Sequence, residues 1–235
     1  MKVGVISDVH SNRVALETVL DDMPPVDDLL CAGDVVGYNP WPAECVDALR
    51  GVGDLGPAVR STLRDDRSAV PTVAGNHDRA VAGGTAFGFN SMAKAGVEHA
   101  KDRLSEEQLS WVERLPTERT EYDGRVKVVH GHPDDPDRYT YPDEFDPGLL
   151  DDEDVLVMGH THVQAAEKFD EGIVMNPGSV GQPRDENPRA AYAVLDLDAT
   201  SVELHRVAYD VEAVRDAVRE AGLPSRIGDR LIEGR

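Results

Sequence analysis

The stretch Val3-Gly4-Val5-Ile6-Ser7-Asp8-Val9-His10 joins a short apolar run to an acidic residue and a histidine. A short apolar run of this kind is typical of a buried β-strand. Apolar residues at helical spacing follow from Asn12 to Leu20. Because ligands bind at the carboxyl ends of the strands in α/β sheets, the stretch predicts a strand, a helix and a candidate binding position between them.

The same arrangement recurs twice in the first half of the chain. A predicted strand at 28–32 leads into Gly33-Asp34, and another at 70–74 leads into Gly75-Asn76-His77-Asp78. A helix with a proline in its first turn is predicted from Pro42 to Leu49. This alternation of strands and helices indicates an α/β sheet.

The remainder of the chain predicts two helices and then a strand-rich half. The helices span 90–104 and 105–115, and Ser105 with Gln108 matches a capping box. Pro133 to Asp154 is a long irregular stretch, which is typical of a functional or disordered loop. We find no internal repeat and no linker, so we expect a single domain over 1–235. The predicted strands are 119–122, 126–129, 155–158, 165–169, 172–176, 191–197 and 201–209, followed by a helix at 211–221.

The composition is strongly acidic, with 45 Asp and Glu against 24 Lys and Arg and a formal net charge of -21. An acidic chain can bind a basic partner. The acids are spread along the whole sequence, however, which favours a halophilic surface that stays hydrated at high salt. We do not expect nucleic-acid binding, because phosphates would be repelled.

The two cysteines, Cys31 and Cys45, are interpreted as buried small residues and not as a disulfide. The chain runs directly into its first strand without a signal peptide, and no apolar run approaches the ~20 residues of a membrane span. We therefore expect a cytoplasmic protein without a membrane segment.

Five short motifs carry side chains that bind metals. Asp8 and Asn76 are also plausible helix caps, Asp34 a turn residue and His130 a satisfied strand-end histidine. The joint occurrence of all five motifs favours metal binding over these separate roles. Their Asp, Asn and His side chains include no sulfur, which suits a pair of divalent cations better than one structural zinc. The motifs are Asp8-Val9-His10, Gly33-Asp34, Gly75-Asn76-His77-Asp78, His130-Gly131-His132 and Gly159-His160-Thr161-His162.

In this order, the motifs resemble those of the calcineurin-like metallophosphoesterase superfamily. The segments 34–40 and 176–181 resemble its small prokaryotic phosphodiesterase branch. The resemblance implies a four-layer αββα sandwich of two mixed β-sheets. It also implies a metal-dependent phosphoesterase that cleaves a small phosphodiester or phosphomonoester by attack of a hydroxide bridging two metals, with the phosphodiester favoured.

The resemblance also assigns roles to individual residues. Asp34 would bridge the two metals, and His77 would act as the acid at the leaving oxygen, or else make a hydrogen bond behind the ligands. Mn²⁺ is the expected metal, and Fe, Ni, Co or Zn would fit the same mixed nitrogen and oxygen ligands. The ligands implied are Asp8, His10 and His162 for one metal and Asn76, His130 and His160 for the other, each set together with Asp34.

The chain departs from the serine/threonine protein phosphatases of the superfamily. Those enzymes carry an Asp three residues after the bridging Asp and then an Arg, whereas this chain has Gly37 and continues as Tyr38-Asn39. A protein-phosphatase mechanism is therefore not expected, and the partner that orients His77 is left open.

Substrate contacts have weaker sequence signals. Arg79 and Arg184 are candidate phosphate clamps, and surface ion pairs are the alternative for both. Asn12 is a candidate phosphate contact whose alternative role is helix capping. Tyr139 lies in the irregular stretch 133–154, called the acidic insert below, where a solvated loop is the favoured interpretation.

Two other functions stay open at this point. One is the same chemistry on dinucleoside polyphosphates or phosphoproteins. The other is a non-catalytic scaffold on this fold, like the related retromer subunit. A scaffold is expected to have lost metal ligands, whereas every ligand position is filled here.

Overall fold

Two β-sheets form the centre of the protein. The computed structural model describes residues 1–52, 69–83, 85–86 and 88–235. Within these residues the strands are β1 Lys2–Ile6, β2 Asp28–Cys31, β3 Glu118–Glu121, β4 Val126–Val129, β5 Val155–Val157, β6 Ala165–Lys168, β7 Ile173–Asn176, β8 Ala190–Asp196 and β9 Ser201–Val207. The helices are α1 Arg13–Asp22, α2 Pro42–Leu49, α3 Asn76–Val81, α4 Ser91–Arg103, α5 Glu106–Glu113, α6 Val211–Glu220 and α7 Arg226–Asp229.

Both sheets mix parallel and antiparallel strands. The first has the order β2-β1-β8-β9 and the second the order β3-β4-β5-β7-β6. In the first sheet β1 is parallel to β2 and antiparallel to β8. In the second, β4, β5 and β7 are parallel, and β3 and β6 flank them as antiparallel edges. The expected α/β class with two mixed β-sheets is confirmed.

Alternating side chains divide the apolar core into layers. Val3 and Val5 of β1 point into a buried cluster shared with Val128 and Val157 of the second sheet. The next residue of β1, Ile6, points to the opposite face and packs with the helices. This period of two is what a strand buried on both faces requires. The two sheets therefore pack face to face, with further apolar layers outside them.

The outer layers differ in kind. Helices α1 to α5 supply apolar residues to the cluster outside the first sheet. Outside the second sheet, Phe145 and Leu149 cover Leu156 and Val174. These covering residues come from the segment around two short 3-10 helices, Pro142–Glu144 and Pro147–Leu149. The acidic insert is thus an ordered layer over the second sheet.

The helix starts follow the local sequence signals. Asn90 caps α4 by accepting hydrogen bonds from the N–H groups of Met92 and Ala93, each at 3.0 Å. Ser105 and Gln108 form the predicted capping box of α5. Asn76 is the first residue of α3 and Gly75 is its cap, so Asn76 does not have the capping role that was its alternative.

The predicted strand at 70–74 is wrong as a full strand. Thr72 makes only an isolated parallel bridge with Cys31, beside β2. Pro71 has no amide hydrogen to donate, so a regular ladder is interrupted there. The turn at the carboxyl end of this segment still delivers Gly75 and Asn76 beside the end of β2. In the described part of the chain, no helix has the length and apolarity needed to cross a bilayer.

Candidate metal centre

The carboxyl ends of parallel strands from both sheets bring the sequence motifs to one place. Asp8 follows β1, Asp34 follows β2, His130 follows β4 and His160 follows β5. Their side chains are withdrawn from solvent, with at most 4 % of the surface of each residue exposed. A ligand site at this edge is what the strand directions favour.

The backbone at this edge is unusual. Five of the seven expected metal ligands adopt a left-handed conformation that side chains other than glycine rarely tolerate. Such residues concentrate at functional sites, where the surrounding structure offsets their strain. The five are Asp8 (φ 52°), His10 (φ 46°), Asp34 (φ 52°), His160 (φ 68°) and His162 (φ 60°).

One group of ligand atoms is formed by Asp8, His10 and His162. The Nε2 atoms of His10 and His162 lie 3.1 Å apart, and Oδ1 of Asp8 lies 3.1 Å from Nε2 of His162. The Nδ1 atoms of the two histidines face the carbonyl oxygens of Val36 at 3.2 Å and Gln182 at 2.5 Å. A carbonyl only accepts, so each Nδ1 donates and each neutral ring turns a lone pair towards its neighbours.

This group has acceptors and lacks a donor. Burial lowers the pKa of His10 and of His162, so both rings are held neutral. Oδ1 of Asp8 is buried and has no hydrogen-bond partner of suitable geometry among the described residues. Three buried lone pairs that converge without a proton between them are costly unless a cation lies there. The donor set therefore fits a divalent metal ion.

The second group contains Asp34, His130, Asn76 and His160. Nε2 of His130 lies 3.4 Å from Oδ2 of Asp34 and 3.3 Å from Oδ1 of Asn76. Nδ1 of His130 donates to the carbonyl of Ala32 at 2.7 Å, which leaves Nε2 facing the group. His160 has the opposite arrangement, since its Nε2 faces the carbonyl of Asp137 at 3.2 Å and Nδ1 is left for a metal.

Asp34 joins the two groups. Its Oδ2 lies 3.6 Å from Nε2 of His10 and 3.4 Å from Nε2 of His130. Burial disfavours a cationic His130, but the Asp34 carboxylate outweighs this effect and raises the pKa of His130 to about 9. One carboxylate thus lies between two clusters of ligand atoms, which is the position expected of a shared ligand.

His77 lies beside the ligands and is held by packing. Its ring centroid is 4.7 Å from that of Tyr38, 4.6 Å from Phe89 and 4.8 Å from His10. Its Nδ1 is buried without a hydrogen-bond partner among the described residues. Burial lowers its pKa to about 4. Aromatic rings therefore fix the orientation of His77, where the protein phosphatases use an Asp.

Gly37 completes this packing. A Cβ atom added at Gly37 would lie 2.4 Å from Nδ1 of His77, and the glycine has φ +101°. Any side chain at this position would displace the histidine and strain the backbone. The glycine that separates this chain from the protein phosphatases is thus required for the position of His77.

Asp78 is a structural residue of the site to which the sequence motif gave no role. Its buried carboxylate accepts N–H groups from Gly75 at 3.0 Å, Val36 at 3.1 Å and Val35 at 3.3 Å. It therefore ties the loop after β2 to the start of α3. Burial raises the pKa of Asp78 to about 7, and the Asp34 carboxylate adds to this effect. An acidic residue directly inside a metal-ligand motif is the signal that could have identified it.

The loop at 176–182 holds the first and last motifs together. Asn176 donates to the carbonyl of Gly159 at 2.6 Å and to Oγ1 of Thr161 at 3.0 Å. Ser179 donates to the carbonyl of Asp8 at 2.8 Å. Polar residues that hydrogen-bond in this way to the segments carrying the ligands fix the geometry of the ligands.

The three candidate substrate contacts have different surroundings. Arg184 donates to Gln182 at 2.8 Å and to the hydroxyl of Tyr38 at 3.3 Å, with no carboxylate partner among the described residues. Burial is the main cause of the lowered pKa of His77 and of His162, and the positive charge of Arg184 also lowers both pKa values. Arg79 forms an ion pair with Asp137. Asn12 caps α1 through Ala15 and donates to the carbonyl of Gly181, so both of its amide atoms have partners.

The acidic insert reaches the site through Tyr139. Its ring stacks on His160, with centroids 3.9 Å apart and planes at 20°. The sequence favoured a solvated loop at this position. The structure instead places Tyr139 against a candidate metal ligand, a contact that no local pattern in the sequence encodes.

The chain belongs to the calcineurin-like phosphoesterase superfamily, because the model of the calcineurin-like phosphoesterase superfamily domain matches residues 1–200. This confirms the resemblance seen in the motifs and supports the assignment of the chain as a hydrolase. Members of this family typically bind divalent metals, in agreement with the groups of ligand atoms described above.

Three proteins illustrate the relationship. The uncharacterized protein MJ0912 of Methanocaldococcus jannaschii is 31% identical over 255 residues, covering 99% of this chain and 98% of that protein. The crystal structure of a metallophosphoesterase from Sphaerobacter thermophilus has a TM-score of 0.82 at 34% identity, covering 100% of this chain and 99% of that one. The phosphodiesterase YfcE of Escherichia coli is 41% identical over 78 residues, covering 33% of this chain and 38% of that protein.

Proposed function

We propose that this protein hydrolyses small phosphodiesters with the help of two divalent metal ions. The observation that carries the proposal is the position of Asp34, whose Oδ2 lies within 3.6 Å of a histidine from each of two ligand groups. When bound, two such ions supply Lewis-acid activation of water and neutralise charge at phosphorus. We propose that Asp8, His10 and His162 hold one ion, that Asn76, His130 and His160 hold the other, and that Asp34 is shared.

Mn²⁺ is our proposed metal. The proposed ligands are nitrogen and oxygen atoms, and both cysteines of the chain are buried elsewhere in the core. Histidine and carboxylate ligands without thiolate suit Mn²⁺ as well as Fe, Co, Ni or Zn. The choice is therefore to be made by loading the protein with each metal in turn.

His77 is proposed as the group that donates to the leaving oxygen. It is buried at the edge of the site, and its Nδ1 has no partner within the described chain. Because burial keeps the ring neutral, one ring nitrogen carries a hydrogen and can donate a hydrogen bond that stabilises charge on a developing alkoxide. The surrounding rings hold the imidazole in one orientation before substrate arrives.

Arg184 is proposed as the residue that clamps a phosphate oxygen. Its guanidinium has hydrogen-bond partners that are neutral, so its charge is not cancelled by a carboxylate among the described residues. An arginine suits a phosphate because its planar donors match two oxygens at once. Arg79 and Asn12 stay candidate contacts, although an ion pair and a helix cap already use their side chains.

The name of one relative favours a diester over a monoester as the proposed substrate. YfcE is called a phosphodiesterase, and the 78 residues that match it are 41% identical. The experiment compares hydrolysis of bis(p-nitrophenyl) phosphate with that of p-nitrophenyl phosphate, with and without Mn²⁺, at low and high salt. Metal-dependent cleavage that prefers the diester supports the proposal.

The other outcomes are equally informative. Preference for the monoester would overturn the choice of substrate. Cleavage of neither ester with any of the five metals would favour the non-catalytic scaffold. Dinucleoside polyphosphates and a phosphoserine peptide, tested in parallel, address the remaining alternatives.

A further inference from the structure

A cleft of about 640 Å³ opens directly beside the candidate metal centre. Two of the proposed ligands, Asn76 and His160, form its inner end. Its volume lies within the range of about 300–1,000 Å³ typical of small-molecule sites. A phosphate bound at the centre therefore has room on this side for one of its ester groups.

Two aromatic side chains line the cleft. Tyr139 packs on His160, with ring centroids 3.9 Å apart, and Phe89 packs on His77 at 4.6 Å. Although it is stacked, Tyr139 is 44% exposed. An exposed aromatic ring on an acidic surface is costly to hydrate and gains by covering another flat apolar group.

The charges of the cleft favour an uncharged occupant. Arg79 lines it together with Asp137, and the two form an ion pair with each other. The pair leaves no net charge to attract a second phosphate.

We propose that this cleft binds a planar aromatic group esterified to the phosphate, so that aryl or nucleoside phosphodiesters are the preferred substrates. The proposal rests on the proposed function, because it places the phosphorus at the metal centre. It identifies Tyr139 and Phe89 as specificity-determining residues. Stacking of this kind is sequence-tolerant for bases and does not require hydrogen bonds to the ring.

The test measures the binding of phosphomonoesters in two pairs. The two members of each pair differ in whether they carry an aromatic ring. Calorimetry with the Mn²⁺-loaded protein gives Kd for phenyl phosphate and methyl phosphate, and for adenosine 5′-monophosphate and ribose 5-phosphate. We expect about tenfold tighter binding of at least one aromatic ligand relative to its partner, from the stacking of one ring. Preference in the first pair places an aryl ester next to phosphorus, and preference in the second places a nucleobase beyond the ribose.

The variant Tyr139→Leu should reduce the preference to about twofold or less. Tyr141→Leu is the matched control, because Tyr141 is also exposed and stacks near Tyr139 but does not line the cleft. Tyr139→Phe should keep the preference, since the ring is retained. Any loosening of His160 in Tyr139→Leu weakens both members of a pair, so the ratio of the two Kd values still reports stacking.

Three results would overturn the subsite: equal binding within both pairs in the unmodified protein, a preference that survives Tyr139→Leu, or one that Tyr141→Leu removes as fully. Failure of the proposed function is distinguishable. An aromatic preference without metal-dependent hydrolysis of any diester contradicts the activity and leaves the subsite standing. Hydrolysis without aromatic preference does the reverse.

Discussion

At the scale of single residues, the candidate metal centre contains buried polar atoms that the described residues leave without a hydrogen-bond partner. Among the described residues, neither Oδ1 of Asp8 nor Nδ1 of His77 has a hydrogen-bond partner. Such groups are costly to retain in a folded protein unless a ligand satisfies them. The unsatisfied oxygen of Asp8 fits a proposed metal ligand, and the unsatisfied ring nitrogen of His77 fits the residue proposed to donate to the leaving oxygen.

His77→Gln is expected to lower kcat by about 100-fold or more, which is the typical loss when a preorganised donor to transition-state charge is removed. The backbone N–H of His77, which donates to Asp34 at 2.8 Å, is untouched by the change. Metal binding should therefore persist. Metal content measured by mass spectrometry checks this point. Loss of Mn²⁺ in this variant would contradict the role of His77 as a donor to the leaving oxygen.

Gly37→Ala tests whether packing positions His77. The new Cβ would lie 2.4 Å from Nδ1 of His77, so we expect turnover to fall by about 100-fold with metal still bound. Gly124→Ala is the control, because Gly124 also has a positive φ of +93° but nothing lies within 4 Å of the added atom. Both variants should lose about 1–2 kcal/mol of stability from backbone strain. Equal loss of activity in both would contradict a specific role for Gly37.

At the scale of elements, the loops after the strands and the start of α3 carry the proposed ligands, and the strands themselves do not. The loop after β2 and the start of α3 are joined by Asp78, which accepts three backbone N–H groups. The end of each strand fixes where the following loop begins, and buried polar contacts of this kind fix the positions of the side chains in that loop.

Asp78→Asn should loosen this junction. An Asn amide group turns N–H hydrogens towards at least one of the three N–H donors, so a buried donor loses its partner. We expect a loss of about 2 kcal/mol in the free energy of unfolding and a 10–100-fold weaker affinity for Mn²⁺. Asp21→Asn, at an exposed position of α1, is the control and should change neither quantity. An unchanged affinity in Asp78→Asn would show that the junction does not hold the ligands.

Local patterns predicted most elements and the ligand types. The capping signal at Ser105 placed the start of α5 to within a residue, because caps act within one turn. The strand at 70–74 failed because a run of apolar residues does not reveal that Pro71 interrupts the ladder. The 3-10 helices of the insert were not predicted, since their order depends on packing over Leu156 and Val174.

The whole molecule carries a formal net charge of -21, and this charge governs its response to salt. Self-repulsion destabilises a compact acidic protein, and salt shortens the screening length from about 10 Å at 0.1 M to about 3 Å at 1 M. If the acidic surface is an adaptation to salt, the melting temperature should rise by roughly 5–10 °C between 0.1 M and 2 M KCl in the presence of EDTA. The same scan near the isoelectric point of 4.6, where the net charge vanishes, is the control and should show a much smaller rise. A melting temperature that stays flat or falls at neutral pH would contradict the halophilic interpretation.

The sequence was sufficient to identify the α/β class, the family resemblance that implies two mixed sheets, and most of the side chains that converge on the site. It could do so because each motif combines a strand end and its ligands within a few residues, where local chemistry is readable. Packing in three dimensions decided contacts that the motifs did not imply: Gly37 with His77, and Tyr139 with His160. The partners of each pair lie in different elements that are well separated along the chain. They meet only where the loop after β2 packs against α3 and where the 133–154 insert packs against the loop after β5. Such contacts are set by how sheets and loops pack in space, which no periodicity along the chain records.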